Sequence, residues 1–249
     1  MTILYFTSTG NSLMVAKKLG GQLVSIPQAM RSENYKFEDD AIGLVFPVYG
    51  LSVPPLILDF MKKAELHTKY LFAILTYGTY DGAAMLQLQN AAIQKHLNFS
   101  YINHLHMQEN YLPGFAMEKQ KKPKNQDKKL NQICMDIAEK KHDVKKNSWF
   151  DKFMTKTHEK NYHYTRGIGV MQKYNVKENC LGCGTCVEVC PTKNIKICGG
   201  KLVFGQDCLS CFACTHNCPV NAIRLTTQKS DKRYRNPEVT LEEIMEQFC

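Results

Sequence analysis

The chain has 249 residues, 44% apolar and 22% charged, with a formal charge of +9 whose basic excess lies after residue 116. Such a length holds one large domain or two modest ones, and the composition is that of an ordinary globular protein. No apolar window of about 18 residues exists, which excludes a membrane-spanning helix. The basic residues are not interleaved with aromatics in a nucleic-acid-binding pattern, so nucleic acid is a minor reading.

The first 105 residues alternate apolar runs with helical patterns. Thr2 to Phe6 reads as a buried strand. It has no basic n-region or cleavage pattern, so no signal peptide is expected and the cytoplasm is the expected compartment. Asn11 to Leu19 reads as a helix, Leu23 to Ile26 as a strand, and Ala41 to Phe46 as a third, strongly apolar strand. Pro54 to Lys62 is a predicted helix with proline in its first turn. Leu71 to Leu75 is a fourth strand, Ala83 to Gln94 a helix, and Tyr101 to His106 a fifth strand. This alternation predicts a doubly wound α/β domain with a parallel five-stranded sheet, over residues 1–142. Lys119 to Lys129 reads as a solvated lysine-rich loop, and Leu130 to about Lys141 as an amphipathic helix. Residues 143–170 form a polar bridge, 171–228 a cysteine-rich unit, and 229–249 a tail. In that tail Leu241 to Phe248 is a short helix, capped by Thr240 with Glu243 completing a capping box.

Ten of the eleven cysteines lie between Cys180 and Cys249. Eight fall in two runs: Cys180, Cys183, Cys186 and Cys190, then Cys208, Cys211, Cys214 and Cys218, each run followed by proline and offset by 28 residues. In a reducing compartment such runs read as metal ligands and not as disulfides. C-x₂-C-x₂-C-x₃-C-P, twice over, is the pattern of two interlocked [4Fe–4S] clusters. The fourth cysteine of each run completes the other cluster. One cluster is thereby expected on Cys180, Cys183, Cys186 and Cys218, the other on Cys208, Cys211, Cys214 and Cys190. Zinc is the alternative, but zinc sites do not need two interlocked runs of four. The region resembles bacterial-type two-cluster ferredoxins. Cys198, Cys134 and Cys249 fall off the spacing and read as structural thiols.

Thr7-Ser8-Thr9-Gly10-Asn11-Ser12 joins the first strand to the first helix. Hydroxyls, glycine and a helix N-terminus can hold a phosphate there without lysine; a simple helix N-cap is the competing reading. The run resembles the FMN phosphate loop of flavodoxins. That resemblance implies that Pro47, Val48, Tyr49 and Gly50 after strand three, and Thr76, Tyr77 and Gly78 after strand four, enclose the flavin ring. His104, His106, His158 and His163 read as structural or exposed. Gly167-Ile168-Gly169 lacks the third glycine of a dinucleotide site.

The whole chain resembles flavodoxin–ferredoxin fusion proteins. The resemblance implies a flavodoxin-like domain followed by a small α+β two-cluster ferredoxin domain. It also implies electron transfer between low-potential one-electron carriers and a flavin-dependent partner, through two [4Fe–4S] clusters and FMN. An enzyme in which FMN reduces a small substrate, with Tyr49, Tyr77 and Tyr80 as proton donors, is the alternative. A module that has lost FMN is a third. Two clusters would reduce the net charge to about +5, so the expected partner is an acidic redox protein such as a ferredoxin or flavoenzyme.

Overall fold

The computed structural model of the chain describes residues 1–144, 148–153, 156 and 174–248. In chain order the N-terminal part forms β1 (Thr2–Tyr5), α1 (Asn11–Leu19), β2 (Gln22–Ser25), α2 (Ile26–Arg31), β3 (Lys36–Glu38), β4 (Ala41–Pro47), α3 (Pro55–Lys63), β5 (Glu65–His67), β6 (Tyr70–Tyr77), α4 (Ala84–Ile93), β7 (Tyr101–His106), α5 (Gln126–Ala138) and β8 (Asp143–Val144). The central sheet has the order β2-β1-β4-β6-β7-β8, and every pairing in it is parallel. With the small β3–β5 pair set aside, its first five strands follow the flavodoxin-like 2-1-3-4-5 order.

Alternation along the strands divides the interior into two apolar layers. Leu4 and Phe6 face Ile57 and Phe60 of α3 and Leu88 of α4. Ile3 and Tyr5 face Val15 of α1 and Ile133 of α5. Both faces of a parallel sheet must be covered this way, which is why its strands read as continuous apolar runs.

The sheet has six strands where five were expected. β8 is a two-residue pairing on Tyr101 and Ile102, too short and polar to show in the sequence. α2 begins where the second strand was expected to end, because Ser25 caps it through a bond from the Gln28 amide. α5 starts at Gln126, inside the expected lysine loop, so Lys128 and Lys129 belong to the helix.

The cysteine-rich part forms β9 (Tyr174–Val176), α6 (Thr185–Glu188), β10 (Ile195–Cys198), β11 (Lys201–Phe204), α7 (Ala213–His216) and β12 (Ile223–Leu225). β9 pairs antiparallel with β12, and β10 with β11. Gly199 and Gly200 turn the second hairpin with φ of 55° and 74°, as a type I′ turn requires. Cys198 precedes this turn and is exposed, so it is not the buried thiol expected from Ile197 beside it. Cys134 is half-buried on α5, and Cys249 lies outside the described residues.

The tail ends in α8 (Leu241–Glu246), where Thr240 and Glu243 form the expected capping box. The tail returns to the sheet: Val239, Ile244 and Phe248 share the apolar layer of Val15 and Ile133, together with Val189 and Ala213 of the cysteine-rich part. Arg31 reinforces this seam, donating to the carbonyls of Cys190 (3.1 Å) and Phe248. No helix of the described residues is long and apolar enough to cross a membrane.

Candidate functional site

A cavity of about 580 Å³ opens at the C-terminal ends of β1, β4 and β6. That is where open α/β sheets bind ligands, and the volume falls in the usual range of about 300–1,000 Å³ for cofactor pockets. Its walls include Thr7, Ser8, Thr9, Asn11 and Ser12, then Pro47 to Leu51, and Thr76 to Tyr80. The three expected loops therefore converge on one cavity. Gly10 lies beneath the first loop, with φ of 93°, and a Cβ there would come within 2.9 Å of Val239.

The hydroxyls of the first loop do not cap the helix: Gly10 holds the N-cap position, without a side-chain cap bond. They act instead as acceptors. Thr7 Oγ1 accepts from the Gly10 amide (3.0 Å), Ser8 Oγ from the Tyr49 hydroxyl (2.9 Å) and Thr9 Oγ1 from Asn110 Nδ2 (2.7 Å). A hydroxyl that accepts keeps its own proton to donate. The first intrahelical bond runs from the Met14 amide to Gly10, so the amides of Asn11, Ser12 and Leu13 precede the helix ladder. Three hydroxyl donors and a helix N-terminus with no acidic residue in its first turn suit a phosphate monoester held by neutral groups. Asn11 behaves differently: its Oδ1 accepts from the Tyr234 hydroxyl (2.7 Å) and Asn236 Nδ2 (3.0 Å), so it anchors the tail.

The other two loops are tightly held. Tyr49 and Ser52 exchange backbone hydrogen bonds across Gly50 and Leu51, whose φ values are 55° and 68°. The Thr76 loop is fastened by Glu109, whose carboxylate accepts from the Thr79 amide and hydroxyl and from the amides of Asn110 and Tyr111, at 2.8–2.9 Å. Gly78 makes this possible, since a Cβ there would lie 2.2 Å from the Glu109 carboxylate. Gln108 to Tyr111, Phe115, Phe150 and Ser210 to Phe212 also line the cavity and were not foreseen. Behind it His104 Nδ1 meets Asp81, and Tyr77 lies against both His104 and His106. Burial and then Asp81 raise the Tyr77 hydroxyl above its ordinary value, keeping it protonated. His158, His163 and Gly167-Ile168-Gly169 lie outside the described residues.

The eight cysteines converge as two crossed quartets. Cys180, Cys183, Cys186 and Cys218 line one cavity; Cys190, Cys208, Cys211 and Cys214 line another. Burial pushes the Cys186 thiol up to about 11, and the facing Cys218, Cys180 and Cys183 add to it. Burial also raises Cys214, with Cys208 and Cys190 contributing. Four converging thiolates are thus costly unless a positive core compensates them, and metal binding is what deprotonates such groups. The two halves match in detail: the Asn194 amide donates to Cys190 Sγ and the Ala222 amide to Cys218 Sγ, both at 3.2 Å. Tyr174 stacks on Phe204, and its buried hydroxyl makes no hydrogen bond of good geometry among the described residues. That hydroxyl lies among the sulfurs of Cys208, Cys211 and Cys214, with Cys208 within its reach, a donor that fits a sulfur-rich group.

The cysteine-rich part and the tail are seated directly on the phosphate-type loop. Asn217 Nδ2 donates to the Ser8 carbonyl (3.1 Å), and the Asn236 amide to the Thr9 carbonyl (2.8 Å). Gln247 brackets Thr7, accepting from its amide (3.1 Å) and donating to its carbonyl (2.9 Å). His216, held down to about 4 by burial, stays neutral; its Nδ1 accepts from the Tyr234 amide and its Nε2 donates to the Asn110 carbonyl (2.8 Å).

Comparison with known proteins bears on the cysteine-rich part. Residues 174–196 and 208–222 each match a family model described as a 4Fe-4S binding domain. Two such domains imply iron–sulfur clusters and iron–sulfur electron transfer, and with it a redox partner. No curated protein matches the chain. A solved structure, the Trp repressor binding protein from Bacillus subtilis, aligns at 8% identity and a TM-score of 0.38, covering 55% of this chain and 95% of that one. The flavodoxin-like assignment rests on the strand order itself.

Proposed function

We propose that the chain carries electrons between low-potential one-electron carriers and a flavin-dependent partner, using two [4Fe–4S] clusters and FMN. One cluster is held by Cys180, Cys183, Cys186 and Cys218, the other by Cys190, Cys208, Cys211 and Cys214. Thr7 to Ser12 hold the FMN phosphate through hydroxyls and amides. Pro47 to Gly50 and Thr76 to Gly78 flank the ring. FMN, when bound, supplies a centre that takes one or two electrons. The observation that carries the reading is that Cys211 lines both the large cavity and the second cysteine cavity, so the second cluster and the flavin share a wall. The first cluster faces outward, with Cys183 and Leu181 exposed, and is the one an external carrier meets. The exposed Lys119, Lys121, Lys122, Lys124 and Lys128 suit an acidic redox protein as that carrier.

The test is an anaerobic preparation with metals, sulfide and flavin quantified. About eight irons, eight sulfides and one FMN per chain are expected. Two zincs without sulfide would refute the clusters, and clusters without flavin would refute the FMN half. A second reading, in which FMN reduces a small substrate, is favoured by the protonated Tyr77 lining the cavity. Anaerobic turnover of small acceptors separates it from the first.

A further inference from the structure

Two residues, Cys211 and Phe212, line both the large cavity and the second cysteine cavity, so they form the partition between the two. The internal repeat supplies a comparison for that partition. Gly184 in the first cysteine loop has φ 81° and ψ −14°; its counterpart 28 residues on is Phe212, with φ 57° and ψ 15°. Gly182 and Ser210 correspond in the same way, with φ of 63° and 52°. Both loops therefore need the left-handed backbone conformation, which is costly for a residue bearing a Cβ and free for glycine. A Cβ on Gly184 would meet nothing within 4 Å, so lack of space does not explain why the first loop uses glycine. The second loop keeps a phenylalanine against its own backbone preference. Residues held in sparsely populated conformations cluster at functional sites. Part of the reason is packing, since Phe212 joins Leu112, Met117, Leu225 and Tyr234 in a small apolar cluster. Packing alone does not require it to line the large cavity as well.

We propose that Phe212 positions the flavin against the second cluster, its ring packing on the isoalloxazine and closing the gap beside the Cys211 sulfur to water. This rests on the FMN reading above. Each transfer across the partition removes one electron from the cluster held by Cys190, Cys208, Cys211 and Cys214 and adds one to the flavin; no bond to the protein forms or breaks.

The experiment uses anaerobic full-length protein with Phe212→Leu, which keeps apolar bulk, and Phe212→Gly, which installs the residue of the first loop. Iron content reports folding of the cluster module, flavin fluorescence reports FMN affinity, and rapid mixing reports the rate at which pre-reduced clusters bleach the flavin. Both variants are expected to keep wild-type iron, to bind FMN about five- to tenfold more weakly and to transfer more slowly. If Phe212→Gly loses iron, Phe212→Leu decides. Wild-type FMN affinity and rate in the iron-replete variants overturn the proposal, leaving Phe212 as a core residue alone. Absence of FMN from the wild type overturns the functional reading itself, so the two failures are distinct.

Discussion

Cys218→Ser is expected to strip the cluster of Cys180, Cys183 and Cys186 while leaving that of its sequence neighbours Cys208, Cys211 and Cys214 intact. The reason is geometric: Cys218 lines the cavity of the first three cysteines, and its charge falls on Cys186. Serine is a poor ligand for a cubane corner, so about four of eight irons should be lost. Double variants identify which four, because ligands of one cluster act non-additively. Cys218→Ser combined with Cys183→Ser should lose no more iron than either alone. Cys218→Ser combined with Cys211→Ser should lose nearly all of it. The reverse pattern would place Cys218 on the second cluster and contradict the crossed arrangement.

The second large effect is expected from a residue at the far end of the chain. Gln247 is 1% exposed and makes the paired hydrogen bonds that bracket Thr7 at the start of the phosphate-type loop. Gln247→Ala leaves the buried Thr7 amide and carbonyl unpaired, at about 1–3 kcal/mol for each orphaned group. The thermal midpoint should fall by several degrees, and FMN affinity should fall with it, because the loop proposed to hold the phosphate loses its anchor. Gln247→Glu should fall at least as far as the alanine variant: its carboxylate is buried without a cation and faces the Thr7 and Ile244 carbonyls with no proton to donate. Melting and FMN titration of the three proteins check this. An alanine variant with wild-type midpoint and wild-type flavin affinity would show that the tail does not support the loop.

These two residues also mark where the sequence is legible. β4 and β6 announce themselves because Ile42 to Phe46 and Leu71 to Leu75 are apolar on both faces. β3 and β5 escape notice because each places a single apolar residue, Phe37 or Leu66, between charged or polar neighbours. The cysteine quartets are legible because cubane ligation imposes a spacing on the chain. The seating of the cluster module on the phosphate-type loop is not, since it depends on side-chain-to-backbone bonds such as Asn217 to Ser8 and Gln247 to Thr7, more than 200 residues apart in sequence. Any asparagine or glutamine could make such bonds. Cys198 misleads for a related reason, because a two-stranded hairpin buries one face only and Ile197 is itself exposed. Phe212 did leave a trace: aligning the repeat sets it opposite Gly184.

The claim on which everything else depends is that electrons pass between clusters and flavin inside one chain. It is tested by reducing the clusters of anaerobic holoprotein with a one-electron donor in rapid mixing and following the flavin absorbance over a series of protein concentrations. Because Cys211 belongs to both cavities, the flavin should bleach as the clusters reoxidise, with a first-order rate independent of protein concentration. A rate rising in proportion to concentration, or clusters that stay reduced beside an oxidised flavin, would contradict it.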